Sequence, residues 1–251
     1  MSSNLELRST YFYTEGLGSS SVSSPSNIYG RSSAADSTIE EKPSEKNKFA
    51  VATHMSQAIH LGLGRELSTL TSNYSQQKLA SKINTTLEAL GKLSLEHAAN
   101  EVVGFDLNEK RSFDESVNTK ICIRSGSHKG HAIVHIPSFI PKNDIKVPAE
   151  ATNFKIEARL VAVSDFVRKS EVFEMLAPKS DGKFGSFESQ MLPILKTSTQ
   201  PMTAHLRLLE SGPISQNAST ALILAVKFYK YADKKFESLE EEALISVRNI
   251  F

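Results

Sequence analysis

His128, His131 and His135 are the residues whose type and spacing come nearest to chemistry in this chain. On a helix, His131 and His135 would lie one turn apart and bring two imidazoles to a single metal ion. The segment that holds them, HAIVHI, alternates β-branched and polar positions and predicts a strand instead. Four residues of strand span about 13 Å. Two nitrogens that must each sit about 2 Å from a zinc ion do not bridge that gap. His128 and His131 have no Cys or Asp beside them to complete a ligand set. The histidines read as solvated strand and loop residues, and no metal site is assigned.

Other pairings fail on spacing or context. Ser125 and Ser127 place hydroxyls beside His128, yet Gly126-Ser-His-Lys-Gly130 puts the serine one position early for a nucleophile elbow. The same loop lacks the Walker spacing and its Lys-Ser/Thr ending, so it cradles no phosphate. Cys122 shares an expected strand face with Lys120 and Arg124, but a lone strand cysteine of this kind reads as passive. As the only cysteine it forms no intrachain disulfide. Gly62-Leu-Gly64 sits inside a helical pattern rather than after a strand, so it is no dinucleotide fingerprint. Asp106, Asp114 and Glu115 make no carboxylate pair suited to acid–base work. We assign no catalytic, cofactor-binding or metal-binding residue from the sequence.

The elements that position these residues fall into three stretches. Residues 1–47 are Ser-rich and end in a charged run, a composition that buries too little apolar surface to offset ordering entropy. They are expected to form a disordered tail, or a docking arm that uses the aromatic cluster Tyr11, Phe12 and Tyr13. Over 48–98, Ala52, Ser56, Ile59, Leu63, Leu67 and Leu70 recur at helical steps, as do Leu79, Ile83, Leu87 and Leu90. They predict a helical hairpin, with Asn73 capping the second helix and Gln76 at the reciprocal position. Gly62 and Gly64 weaken the first helix by about 1 kcal/mol each. They mark close approach of another backbone and, with the aromatic cluster, are the candidate partner-docking residues.

From residue 99 the period falls to two. Val102 to Leu107 and Thr119 to Arg124 are expected strands. The loop to Gly130 then makes a hairpin into Ala132 to Ile136, with Ala132, Val134 and Ile136 inward and His131 and His135 outward. Pro137, Pro141 and Pro148 place the next segment at an edge or corner. Phe154 to Val163 alternates as a long strand, Glu171 to Lys196 offers a short one, and Met202, Ala204, Leu206 and Leu208 form an inward row. Ser219 to Tyr231 is apolar on both faces at its start, which suits a central strand, with Phe228, Tyr229 and Tyr231 as core and rim. Glu240 to Glu242 is a solvated turn before a last strand from Leu244 to Phe251. The expected class is α+β, with residues 99–251 an antiparallel β-sandwich of Ig-like or Greek-key type.

A net charge of +1 removes the general attraction to phosphate backbones on which most nucleic-acid binders rely. The longest apolar run, Ala221 to Val226, is far short of a membrane helix. The first residues lack the basic and apolar regions of a secretory signal, so the default expectation is cytoplasmic.

Ile136, Pro137, Phe139, Pro141, Pro148, Ala151, Thr152, Phe154, Lys155 and Ile156 make an IP-x-F-x-P…A-P-x-x-A-T-x-F-K-I segment. With VVGFDLNEK, ALILAVKFY and ALISVRNIF, it resembles a family of uncharacterised proteins from Bacteroidetes over residues 48–251. Members of that family usually begin with a Gly-rich segment, where this chain has its Ser-rich one. The resemblance implies a helical region followed by a β-sandwich and implies no catalytic residue. The expected function is a non-enzymatic structural or protein-interaction component, acting on a protein partner or a second copy. A glycan-type ligand-binding module is the alternative, and a hydrolase the remaining one.

Overall fold

The computed structural model describes residues 43–87, 91–170, 172–208 and 214–251, with side chains from residue 47. Tyr11, Phe12 and Tyr13, and the arm they were expected to serve, lie outside the described residues. Helix α1 (Pro43–Ser68) starts earlier than expected, inside the charged run. Proline fits a first helical turn because its fixed φ suits the helix and its missing N–H has no partner there. All six periodic positions of α1 and its exit, Ala52, Ser56, Ile59, Leu63, Leu67 and Leu70, are buried.

Helix α2 (Ser75–Thr86) folds back on α1 as the expected hairpin, pinned by Ser56 Oγ donating to Gln76 O at 2.7 Å. His60 adds a second tie, its Nε2 lying 3.0 Å from Ser75 Oγ. Asn73 does not cap α2, which begins after Tyr74 with no side-chain cap. Ser72 organises the connection instead. Its N–H donates to Leu107 O at 2.9 Å, and its hydroxyl accepts from the Glu109 N–H at 2.8 Å.

The chain then runs through β1 (Lys92–Leu93), a 3-10 turn (Leu95–Ala98) and α3 (Ala99–Val102). The expected strand over Val102 to Leu107 is not formed. Val102 closes α3, and Gly104 turns the chain at φ 87°, a conformation that side-chain-bearing residues resist. What remains is an irregular edge, with Gly104 N–H donating to Val247 O and Leu107 N–H to Ile245 O. Next come α4 (Phe113–Ser116), β2 (Cys122–Ser125), β3 (His131–Ile136) and α5 (Pro141–Asp144). The remaining strands are β4 (Asn153–Ser164), β5 (Phe166–Lys169), β6 (Val172–Met175), β7 (Phe184–Glu188), β8 (Leu192–Pro193) and β9 (Met202–Arg207). They end with β10 (Ala218–Ala232), β11 (Lys235–Ser238) and β12 (Leu244–Ile250). The class is α+β with several antiparallel sheets.

The largest sheet is built on β4 and β10, which pair antiparallel from Ala218↔Ser164 to Tyr229↔Asn153. β7 and β8 line the other edge of β4, and β12 and β11 the other edge of β10. A second sheet runs β2-β3-β9 and a third β1-β5-β6. Alternate residues of the central pair feed two cores. Val161, Val163, Ala221, Ile223 and Ala225 pack with Met55, Ile59, Leu63, Leu79 and Ile83 of the helices. Phe154, Ile156, Leu160, Leu222, Leu224 and Phe228 pack with Ala132, Val134, Ala204 and Leu206 of the second sheet. The helices and sheets form one compact unit, so the change at residue 98 is one of secondary structure rather than of independent bodies.

Gly62 shows how close the helix comes. A Cβ there would stand 2.3 Å from Val161 Cγ1, so only glycine lets α1 settle on β4. Helix propensity alone would make Gly62→Ala stabilising by about 1 kcal/mol. Overlap with a stiff, buried valine costs about 1–3 kcal/mol and outweighs it. Gly62→Ala should therefore lower the melting temperature by several degrees. The Gly62→Ala/Val161→Ala double variant should lose less than the sum of its singles, as calorimetry would show.

Candidate functional site

Lys155, Glu157 and Arg159 lie on the face of β4 that also holds Val161 and Val163. Register sets Glu157 beside Glu188 on β7, and Lys155 beside Lys227 on β10. Glu66, near the end of α1, reaches the same place. Lys227 Nζ donates to Glu157 Oε1 at 3.0 Å, and lies 3.7 Å from Glu188 Oε1 and 3.8 Å from Glu66 Oε2. Lys155 Nζ donates to Glu188 Oε1 at 2.5 Å. Arg159 stands 3.8 Å from Glu157 Oε1, with its guanidinium over the Phe184 ring. Three carboxylates meet three cations at the sheet end next to the helix.

Burial decides the electrostatics. Glu157 is 1% exposed, and desolvation pushes its carboxyl above the usual range despite the pull of Lys227 and Arg159. Desolvation also pushes Glu188 up, but the hydrogen bond from Lys155 and the charges of Lys227, Lys155 and Arg159 together bring it below that range. Lys227 loses solvation too, yet Glu157 more than compensates and holds its ammonium on. Two neighbouring carboxyls are thus driven in opposite directions, the pattern found where acid and base roles are divided. Here both are held by lysines. Oxygens of Glu66, Glu157 and Glu188 lie within 4.8 Å of one another, a spacing that suits a hard cation. Lys227 supplies the positive charge at that point, so the donor set does not call for a metal.

The histidines are arranged differently from expectation. His135 is exposed, with Nδ1 3.0 Å from Thr203 Oγ1. His131 is buried, although it stands on the outer face of β3. The loop folds over its ring, and a Cβ at Gly126 would fall 2.0 Å from His131 Nδ1. The Ser127 N–H donates to that nitrogen at 3.3 Å, so the proton of the neutral ring sits on Nε2 and points to His205 Nδ1 at 3.4 Å. His128 lies alongside, its ring centre 5.3 Å from that of His131. Desolvation lowers the His131 pKa first, and Arg207, His128 and His205 lower it further by their charge. His205 escaped the sequence reading because only the β3–β9 register brings it to His131 across 74 residues.

The other candidates stand apart. Cys122 is exposed and opposite His135. Ser127 Oγ lies 3.1 Å from His128 Nδ1 on the open loop. Gly62 is buried against the chain's own Val161, so the close approach it allows is internal. Gly64 breaks α1 at φ 70° with Phe184 beside it. A His–Asp pair that the sequence did not suggest joins His54 Nε2 to Asp181 Oδ2 at 2.8 Å, and Asp181 Oδ1 accepts the Ser164 N–H at 2.7 Å. It ties α1 to the turn before β7. No described helix is long and apolar enough to cross a membrane.

Comparison with protein-family models, curated proteins and solved structures finds nothing that matches this chain. The meaning of these groups rests on their own chemistry.

Removing one partner of a buried pair costs about 3–5 kcal/mol, whereas replacing both with apolar groups is often neutral. Lys227→Met should lose stability on that scale in urea unfolding at neutral pH, and Lys227→Met/Glu157→Leu should regain most of it. Without Lys227 the folded pKa of Glu157 rises further. A carboxyl with a raised folded pKa binds its proton first in the folded state, so the deficit of the single variant should shrink as pH falls from neutral toward 4.5.

Proposed function

We propose that the protein is a non-enzymatic structural or protein-interaction component of a larger assembly. In this reading the packing of β2-β3-β9 against the central pair is an antiparallel sandwich of the Ig-like or Greek-key kind. The family from Bacteroidetes that it resembles then shares that framework. One observation carries the interaction role, the ribbon made by β10 and β11. All four residues of β11 are exposed. The ribbon turns through Asp233 and Lys234, both with positive φ, as a tight two-residue hairpin does. Tyr231 and Phe236 oppose each other across it, their ring centres 4.9 Å apart and each about half exposed at 52% and 47%.

Exposed aromatic pairs beside an unpaired strand edge are what protein surfaces use to dock another chain. β11 stands at the end of its sheet among the described residues, so a further strand has room to pair there. The occupant that fits is a second copy adding its own ribbon, with the N-terminal arm and its Tyr11, Phe12 and Tyr13 as an additional contact. The neutralised state of the Glu157 cluster supports a structural rather than a catalytic role for it.

Light scattering after size-exclusion chromatography tests the proposal on the full chain. A mass above that of the monomer is expected, rising with concentration. Tyr231→Ala/Phe236→Ala should return it to monomer with an unchanged circular-dichroism melt. A monomer at every concentration, with or without those rings, would count against the proposal.

A further inference from the structure

The outer face of the β2-β3-β9 sheet is cationic across its width. Register aligns Cys122, His135 and Thr203 in one row, Arg124, Ile133 and His205 in the next, and His131 with Arg207 in a third. Same-face neighbours therefore stand about 4.8 Å apart across strands and about 6.7 Å apart along them. His128 and Lys129 extend the face at the hairpin loop, where Lys129 turns to Glu96 at 3.6 Å. Arg124, His135, His205 and Arg207 are all exposed. Neither Arg124 nor Arg207 forms an ion pair among the described residues, and no carboxylate stands in the three rows. Every charged group that shifts His131 is a cation. By contrast, Lys78, Lys110, Lys155, Lys169 and Lys230 elsewhere each meet a carboxylate within 3 Å.

We propose that this face is a docking surface for a sulfated polysaccharide, with Arg124 and Arg207 gripping sulfate oxygens and His128, His131, His135 and His205 adding charge as the medium turns acidic. Guanidinium forks bind tetrahedral oxyanions with paired hydrogen bonds. Arg124 on β2 and Arg207 on β9 stand on the two outer strands of the sheet, separated points that a repeating anionic chain can bridge, held by charge and counterion release. The three rows carry no Trp, Tyr or Phe, so they lack the stacking platform that single-stranded nucleic acids and neutral sugars use. A flat sheet face also does not enter a DNA groove as a helix or ribbon does.

The pH dependence follows from the same groups. Imidazole is the side chain whose charge changes within the physiological pH range. A bound sulfate supplies the anion that the cluster lacks and stabilises the protonated rings. Binding then takes up protons, so affinity must rise as pH falls. The ribbon and self-association are not required for this surface to work.

The test uses the full chain and fluorescein-labelled heparin, with polarisation read at about pH 7.5 and about pH 5.5 at fixed salt. Binding should tighten about tenfold or more at the lower pH, and weaken with salt at both. Arg124→Gln/Arg207→Gln should lose at least about tenfold in affinity. Both side chains are exposed, so its melting temperature should hold. His205→Gln should flatten the pH response while leaving the neutral-pH affinity nearly intact. Lys78→Gln/Lys169→Gln, on α2 and β5, should bind as the parent does. Absence of heparin binding at the lower pH, or equal binding by the double arginine variant, would overturn the proposal. Duplex DNA of matched charge binding as tightly as heparin would overturn the choice of a polysaccharide.

Discussion

The ladder between β4 and β10 holds the molecule together. Twelve consecutive residue pairs run antiparallel from Ala218↔Ser164 to Tyr229↔Asn153, and both faces of the ribbon are apolar over most of that length. A strand pair buried on both sides has to be covered twice, and the rest of the chain does so. The helical hairpin lies over one face and β2-β3-β9 over the other, while β7, β8, β11 and β12 extend the two edges. Gly62 is a consequence of this, since a helix that must cover a β-branched surface needs one position without a side chain.

Two-sided burial leaves little to tell one register from another, because apolar residues sit on both faces. Polar groups at the two ends of the ladder supply the difference. At one end Glu157 meets Lys227. At the other, Asp165, 2% exposed, is met by Lys92 Nζ at 2.7 Å and accepts a hydrogen bond from Ser219 Oγ at 3.1 Å. A slip of one residue would turn Lys227 onto the opposite face, into the second core and away from Glu157. Burying an unpaired charge costs several kcal/mol, far more than the apolar packing lost in such a slip could vary. The groups that link the two strands at the ladder's ends, Lys227 with Glu157 and Ser219 with Asp165, are met only in this register.

How far the sequence could be read follows from the range of the forces involved. The six buried positions of α1, the inward rows of β3 and β9 and the apolar two-faced start of β10 are local patterns, and they appear in the structure where the sequence places them. The failures are of another kind. Val102 to Leu107 has a strand's composition, but Gly104 supplies a turn and α3 claims Val102. The alternation of Lys155, Glu157 and Arg159 along β4 marks one face of a strand, and alternation cannot say that the helical hairpin covers that face. The clue was Lys227, a lone cation in the apolar run ALILAVKFY, which implies a buried partner. β11 went unseen because its turn uses Asp233-Lys234 where a glycine would have announced it. The His131–His205 contact is a property of register alone.

Where function can sit is set by the same geometry. The β4–β10 pair is covered on both faces over most of its length. The surfaces left to meet another molecule are those where a strand keeps one face or edge in water. The β10–β11 ribbon is one, and its exposed residues are aromatic and of mixed charge. The outer face of β2-β3-β9 is another, with Arg124 and Arg207 exposed on it beside His135 and His205. Arg124 and Arg207 form no ion pair among the described residues, and like charges on one face carry a repulsive cost in the free protein. A loop that needs Gly126 to close over His131 adds a constraint that the strand pairing itself does not require. An anion docked there, as proposed above, would supply the countercharge that Arg124 and Arg207 lack among the described residues.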